Sequence, residues 1–174
     1  MKDHYRTWIR DIPDFPKQGI LFRDITPLLG NGAVYRDAIQ ALAAKAEEWK
    51  PELVVGPEAR GYVVGAPLAV TLGLGFVPVR KPGKLPYKTV SVEYALEYGT
   101  DRLEIHEDAI QPGQRVVVAD DLLATGGTMR ATMDLVEKLG GVVVGAAFLI
   151  ELKQLGGRDR LGDIPVYTLV QFDD

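Results

Sequence analysis

Apolar and polar positions follow two rhythms along this chain. Over 35–50, Ile39, Leu42, Ala43, Ala46 and Trp49 recur at helical spacing on one face, and Pro51 stops the run. A short apolar stretch at 53–55 predicts a strand. The Ala-, Val- and Leu-rich segment 61–72 predicts a buried helix, and 76–79 a second strand. Over 82–99, Pro, Gly, Lys and Tyr follow no stable period, which predicts a long loop with room for an extended hairpin; such loops are usually functional. The turn Pro112-Gly113 introduces a third strand at 115–119. A helix over 128–139 closes at Gly140-Gly141, and strands follow at 142–152 and 166–172. Strands that alternate with helices and are apolar on both faces predict an α/β fold, with a mainly parallel central sheet flanked by helices on both faces.

Composition narrows the class. The chain has 174 residues, enough for one domain with a real core, and carries no repeat, low-complexity segment or linker. It contains no cysteine, which excludes disulfides and thiolate metal sites and fits a reducing compartment. No apolar run reaches membrane-spanning length, and 1–14 lacks an apolar signal core, so the expectation is a cytoplasmic protein without a membrane partner. A net charge of -4 argues against a general nucleic-acid binder.

The segment 116–129 reads VVVADDLLATGGTM. An apolar strand ends in two adjacent carboxylates, Asp120 and Asp121, where open parallel sheets bind their ligands. Ala124, Thr125, Gly126, Gly127 and Thr128 then lead into a helix. The first N–H groups of a helix lack internal partners and favour an anion, and glycines let its oxygens approach the backbone. A phosphate suits this loop. The carboxylates would repel a phosphate but suit sugar hydroxyls or a hydrated cation, so the pattern points to a sugar phosphate. A polar turn and a capped helix would give the same residues without a ligand. A Walker nucleotide site is set aside, because G-x-x-x-x-G-K-[ST] is absent.

VVVADDLLATGGTM resembles the phosphoribosyl pyrophosphate motif of type I phosphoribosyltransferases. Four further segments accompany it in order: FPKQGILFRDITPLL at 15–29, GPEARGYVVGAPLA at 56–69, VRKPGKLP at 79–86 and ALEYGTDRLEIHEDAIQPGQRVVVADD at 95–121. The set is similar to the adenine branch of that family from about Pro13 to near the C-terminus. The resemblance implies a type I phosphoribosyltransferase fold as one domain over 1–174, with a small N-terminal hood and base-binding segment at 1–34 and a core at 35–174. It implies a homodimer that converts adenine and phosphoribosyl pyrophosphate to AMP and pyrophosphate, with Mg2+ as cofactor carried by the substrate rather than held by protein ligands.

The same resemblance assigns roles. Asp120 and Asp121 would bind the ribose, and Ala124 to Thr128 the 5′-phosphate. The loop Glu58, Ala59 and Arg60 would bind pyrophosphate; its family form can contain a non-proline cis peptide, and Glu-Ala here replaces Asp-Ser of other members. Lys81 and Lys84 would contact pyrophosphate, and Arg80 would join that group near the neighbouring subunit's site. Tyr87 and Lys88 depart from the Gly and Pro of many relatives. Leu21, Phe22 and Arg23 would bind adenine through a ring face and backbone groups, although a lone Phe is more often core. Glu97 would be the acid/base at the purine, with Tyr98 beside it. The residues alone leave Glu93 an equal competitor, and only the LEYG segment favours Glu97. His4 and His106 have no partners at ligand spacing and read as structural or surface residues. Two other functions compete: transfer to xanthine or hypoxanthine, and a DNA-binding regulator on the same fold. The regulator needs an added module, and Pro13, Pro16 and Pro27 interrupt any helix-turn-helix before the core.

Overall fold

The computed structural model describes residues 3–96 and 98–174. The chain opens with α1 (Asp3–Arg6), then β1 (Arg10–Pro13) and β2 (Leu21–Asp24), which pair antiparallel with Ile12 opposite Phe22. α2 (Thr26–Gly30) and α3 (Gly32–Glu47) lead into β3 (Leu53–Pro57), α4 (Gly61–Leu72) and β4 (Gly75–Val79). β5 (Thr89–Ala95) and β6 (Thr100–His106) form an antiparallel hairpin. β7 (Arg115–Leu123), α5 (Gly127–Lys138), β8 (Val142–Leu152), α6 (Gly157–Arg160) and β9 (Val166–Phe172) complete the chain.

The five core strands lie in the order β4-β3-β7-β8-β9, all parallel. Their alternation divides the core in two. Val54, Val117, Ala119, Ala147 and Leu149 pack with Leu42 and Ala46 of α3 and Val64 and Leu68 of α4. Val55, Val116, Val118, Ala146 and Phe148 pack with Met133, Leu135 and Val136 of α5 and with Leu103 and Ile105 of the hairpin. β3, β7 and β8 are therefore buried on both faces, as a sheet covered on both sides requires. Among the described residues, no helix is long and apolar enough to cross a membrane.

Local chemistry sets the helix ends. Asn31 accepts the N–H groups of Ala33 and Val34, each at 3.1 Å, so α3 begins at Gly32, one turn earlier than its apolar period suggests. Pro67 inside α4 cannot donate to the Val63 carbonyl, and the Tyr35 hydroxyl donates there instead. Gly73, at φ 70°, ends α4 in the left-handed region. The segment over 82–99 holds β5, whose partner β6 carries Leu103 and Ile105, both buried. The hairpin docks beside β4 through paired backbone hydrogen bonds between Arg80 and Glu104 at 3.0 and 2.8 Å.

The β1–β2 ribbon forms a hood over the carboxyl end of the sheet. Its anchor is Arg23, buried between Asp11 at 2.5 Å and Asp174 at 2.9 Å, with its guanidinium 4.0 Å from the Phe172 ring centre. Phe172 ends the last core strand, so one arginine fixes the hood to the far edge of the sheet.

Candidate active site

The crossover β3–α4–β4 runs to one side of the sheet and β7–α5–β8 to the other. The strand order therefore reverses between β3 and β7, and a crevice opens at their carboxyl ends. β3 pairs with β7 only through Val118, whereas β7 continues along β8 to Leu123. The strand thus runs four residues past the expected end at 119, and Asp120 and Asp121 lie inside its free stretch. That extension fixes both carboxylates on sheet backbone instead of in a turn.

A cleft of ≈ 180 Å³ is lined by Arg60 and by residues 120–129. Asp121 is buried, and its Oδ2 lies 3.2 Å from Arg60 Nε. The Asp121 N–H donates to Asp120 Oδ1 at 2.8 Å. Asp120 sits deep among protein atoms although part of its surface opens to the cleft. Loss of hydration first, and the charge of Asp121 second, hold its carboxyl well above the usual carboxylate range.

That loop turns at Gly126, whose φ of 83° precedes the first residue of α5. A Cβ there would lie 2.7 Å from the Gly157 carbonyl oxygen, so conformation and space both require glycine. Gly127 does not share the positive φ; its part is the open backbone at the helix start. No side chain caps α5, and Thr125 and Thr128 are exposed. The first N–H groups of the helix and two hydroxyls thus face the cleft, the donor set a phosphate accepts from.

The loop after β3 forms the opposite wall. The Glu58–Ala59 peptide is cis. Glu58 turns its carboxylate to Arg80 Nε at 3.1 Å and to the Lys81 N–H at 2.8 Å, joining the loops after β3 and β4. Arg60 also reaches the hood, with its guanidinium 5.5 Å from the Phe22 ring centre. Phe22 packs edge-on against Phe15 at 5.1 Å and is only partly buried, which leaves ring surface for a ligand. Leu21 is exposed beside it. The Arg23 side chain is committed to the hood anchor, so only its backbone is available to a base. β2 belongs to a two-stranded ribbon, and alternate backbone groups of such a strand face away from its partner.

Lys81 bonds Asp101 of β6, which also accepts from the Tyr94 hydroxyl at 3.3 Å. The Asp101 hydrogen bond raises the Lys81 pKa, and the Lys81 hydrogen bond lowers that of Asp101. Lys84 is exposed. Tyr87 and Lys88 are tied to the end of β6, where the Tyr87 N–H donates to His106 Nε2 at 3.4 Å and the Glu107 N–H to the Lys88 carbonyl at 2.9 Å. His4 approaches Asp37 at 3.9 Å. Tyr98, 86 % exposed, stands at the hairpin tip. Glu97 lies outside the described residues. The competitor Glu93 is paired with Arg102 at 2.6 Å.

A second cleft of ≈ 500 Å³ adjoins the first and shares Thr125, Gly127 and Thr128 with it; Tyr94, Ala95, Leu96 and Arg160 complete its lining. The reading from residue types missed Tyr94, Asp101, Gly157 and Arg160. The basic turn GGRDR at 156–160 was the available signal for the last two, but nothing local tells that it folds against residue 126. A separate groove between α3 and α4, lined by Tyr35, Arg36, Ile39 and Pro67 among others, holds no carboxylate.

Known proteins share this arrangement. The phosphoribosyl transferase domain family matches residues 25–172. An adenine phosphoribosyltransferase of Brevibacillus brevis is 59% identical over 168 residues, 97% of this chain and 99% of that protein. The crystal structure of adenine phosphoribosyltransferase from Thermoanaerobacter pseudethanolicus superposes with a TM-score of 0.96 at 55% identity, covering 99% of this chain and 100% of that one. The Saccharomyces cerevisiae enzyme, solved with an imino-altritol bisphosphate and adenine, gives 0.92 at 40% identity over 97% of each chain. With the cleft at the β3–β7 switch point, these likenesses establish that the chain belongs to the phosphoribosyltransferase family, in its adenine phosphoribosyltransferase branch.

Proposed function

We propose that this protein transfers the phosphoribosyl group of phosphoribosyl pyrophosphate to adenine, giving AMP and pyrophosphate in purine salvage. The observation that carries the reading is the single cleft that joins Asp120 and Asp121 to the Gly126 loop, with Arg60 linking it to Phe22. In this reading residues 124–128 hold the 5′-phosphate and the two aspartates hold the ribose hydroxyls. The base lies against Phe22 between the backbones of Leu21 and Arg23. The bond from the anomeric carbon to the pyrophosphate oxygen breaks, and a bond to the purine nitrogen forms. The purine proton passes to Glu97, while Tyr98 and the hairpin exclude water from the oxocarbenium-like centre. The departing pyrophosphate gains negative charge, and fixed cations and donors aimed at it supply the largest catalytic effect. In this reading Arg60, Lys81, Lys84 and the backbone of Glu58 and Ala59 meet that charge, with Arg80 braced by Glu58.

Among the described residues no three carboxylates or histidines gather as a metal cage. Mg2+ keeps several waters and binds substrate phosphate oxygens, so in this reading it would arrive on phosphoribosyl pyrophosphate, with Asp120 and Asp121 left to the ribose hydroxyls. Bound with the substrate, it would neutralise pyrophosphate charge. The reading includes a single domain with 1–34 as hood and 35–174 as core, a homodimer with Arg80 near the partner's site, and a cytoplasmic location consistent with the absence of cysteine.

Adenine is favoured over xanthine and hypoxanthine by the relatives' own substrate. The test is a purine panel with phosphoribosyl pyrophosphate and Mg2+, with pyrophosphate release as the readout. Adenine should give the highest kcat/KM. A preference for a 6-oxopurine would overturn the substrate, and no release with any purine would overturn the transfer.

A further inference from the structure

We propose that Arg160 is an additional binding residue for the ligand's 5′-phosphate, presented by α6 from the wall opposite the α5 N-terminus; this rests on the phosphoribosyl reading above. Two segments far apart in sequence meet here without side chains between them. A Cβ on Gly157 would lie 2.3 Å from the Ala124 carbonyl oxygen, and one on Gly126 would lie 2.7 Å from the Gly157 carbonyl oxygen. The residue three positions beyond Gly157, on the same side of the turn, is Arg160. Its Nη1 lies 3.3 Å from where a Gly127 Cβ would stand, and it lines the larger cleft with Thr125, Gly127 and Thr128.

Its neighbour Arg158 is already committed. Arg158 grips buried Glu151 through Nε at 3.0 Å and Nη2 at 2.5 Å, and donates to the Val166 carbonyl at 3.0 Å. Glu151 also accepts from Thr168 and Gln171, each at 3.0 Å. Burial opposes ionisation of Glu151, but these donors and the Arg158 charge outweigh it and lower its pKa. Buried Leu161 closes the turn. α6 is therefore pinned to β8 and β9. Among the described residues, the Arg160 guanidinium on its open side makes no hydrogen bond or ion pair. A guanidinium matches two phosphate oxygens in its planar fork, so a cation on a fixed backbone beside uncapped N–H groups complements a phosphate better than either element alone.

The test is calorimetry of AMP and adenosine, which differ by the phosphate, with the parent, Arg160→Gln and Arg160→Lys. Arg160 is exposed, so both variants should fold with near-parental thermal unfolding. Arg160→Gln should weaken AMP roughly 3–10-fold, a modest loss because the group is solvated, and should flatten its salt dependence. Adenosine affinity should not change, and Arg160→Lys should recover part of the AMP loss. AMP affinity and salt dependence unchanged in Arg160→Gln, while the parent binds AMP well above adenosine, would overturn the role of Arg160 alone. Equal losses for AMP and adenosine would also overturn it. A parent that binds AMP no tighter than adenosine would overturn the phosphate reading and this inference together.

Discussion

Asp120 holds its charge at a cost to the fold, which separates its effects on stability and on activity. Its folded-state pKa is raised, chiefly by burial and then by Asp121. The folded state therefore binds the proton more tightly than the unfolded chain does. Stability falls as pH rises from the ordinary carboxylate range towards the raised folded value. Asn cannot titrate and escapes that loss. Asp120→Asn should match the parent's melting temperature near the bottom of the carboxylate range and exceed it increasingly towards neutral pH, as thermal scans across pH will show. A parent and variant with parallel pH profiles would contradict this. Glu97 and Glu93 make a second contrast. Glu97→Gln should lower kcat roughly 10²-fold with a far smaller change in adenine KM, because a proton moved only as the bond changes belongs to the transition state. Glu93→Gln should leave kinetics near parental, because it loses only an exposed pair with Arg102. A crippled Glu93→Gln with normal Glu97→Gln in single-turnover assays would exchange the two roles. The aspartate pair and the glycines were legible as residue types at strand and helix ends. The elevated Asp120 pKa was not, since burial depends on what lies around it.

At the scale of elements, the strand-to-helix turn is the most constrained piece. Gly126→Val places a β-branched side chain at positive φ and drives it into the Gly157 carbonyl. Left-handed backbone alone costs such a residue about 1–2 kcal/mol, and the clash adds to it. AMP binding by calorimetry should be lost. Gly127→Ala, without positive φ and with only the Arg160 head at 3.3 Å, should retain most of it. Equal AMP affinity for Gly126→Val and the parent would remove the loop from the phosphate site. Spans with strong periodicity were readable from sequence: 61–72, 142–152 and 166–172 agree with α4, β8 and β9. The β5–β6 hairpin was legible only as a loop with hairpin potential. In β6 just two apolar residues, Leu103 and Ile105, carry the alternation, and charged residues surround them. The start of α3 was missed for another reason: Asn31 acts through a cap, which leaves no apolar period.

For the molecule as a whole, the sequence pattern reaches the layered α/β architecture but not the contacts that assemble the cleft. Arg23 and Asp174 lie 151 residues apart and fasten the hood to β9. Glu58 joins the loops after β3 and β4, and Gly157 meets the Gly126 loop from the last crossover. Such closures depend on the order of strands, which no local pattern encodes. They bring the hood, the β3 loop, the β7 aspartates and the α5 N-terminus to one crevice, and the proposed transfer depends on that convergence. The most direct test is formation of AMP and pyrophosphate from adenine, phosphoribosyl pyrophosphate and Mg2+, compared among the parent, Asp120→Asn and Asp121→Asn under conditions where chemistry limits the rate. The parent should form both products one for one, with kcat/KM for phosphoribosyl pyrophosphate lowered roughly 10-fold or more in each variant while the fold persists. A parent that forms no AMP, or two variants that form it at the parental rate, would contradict the assignment of the cleft.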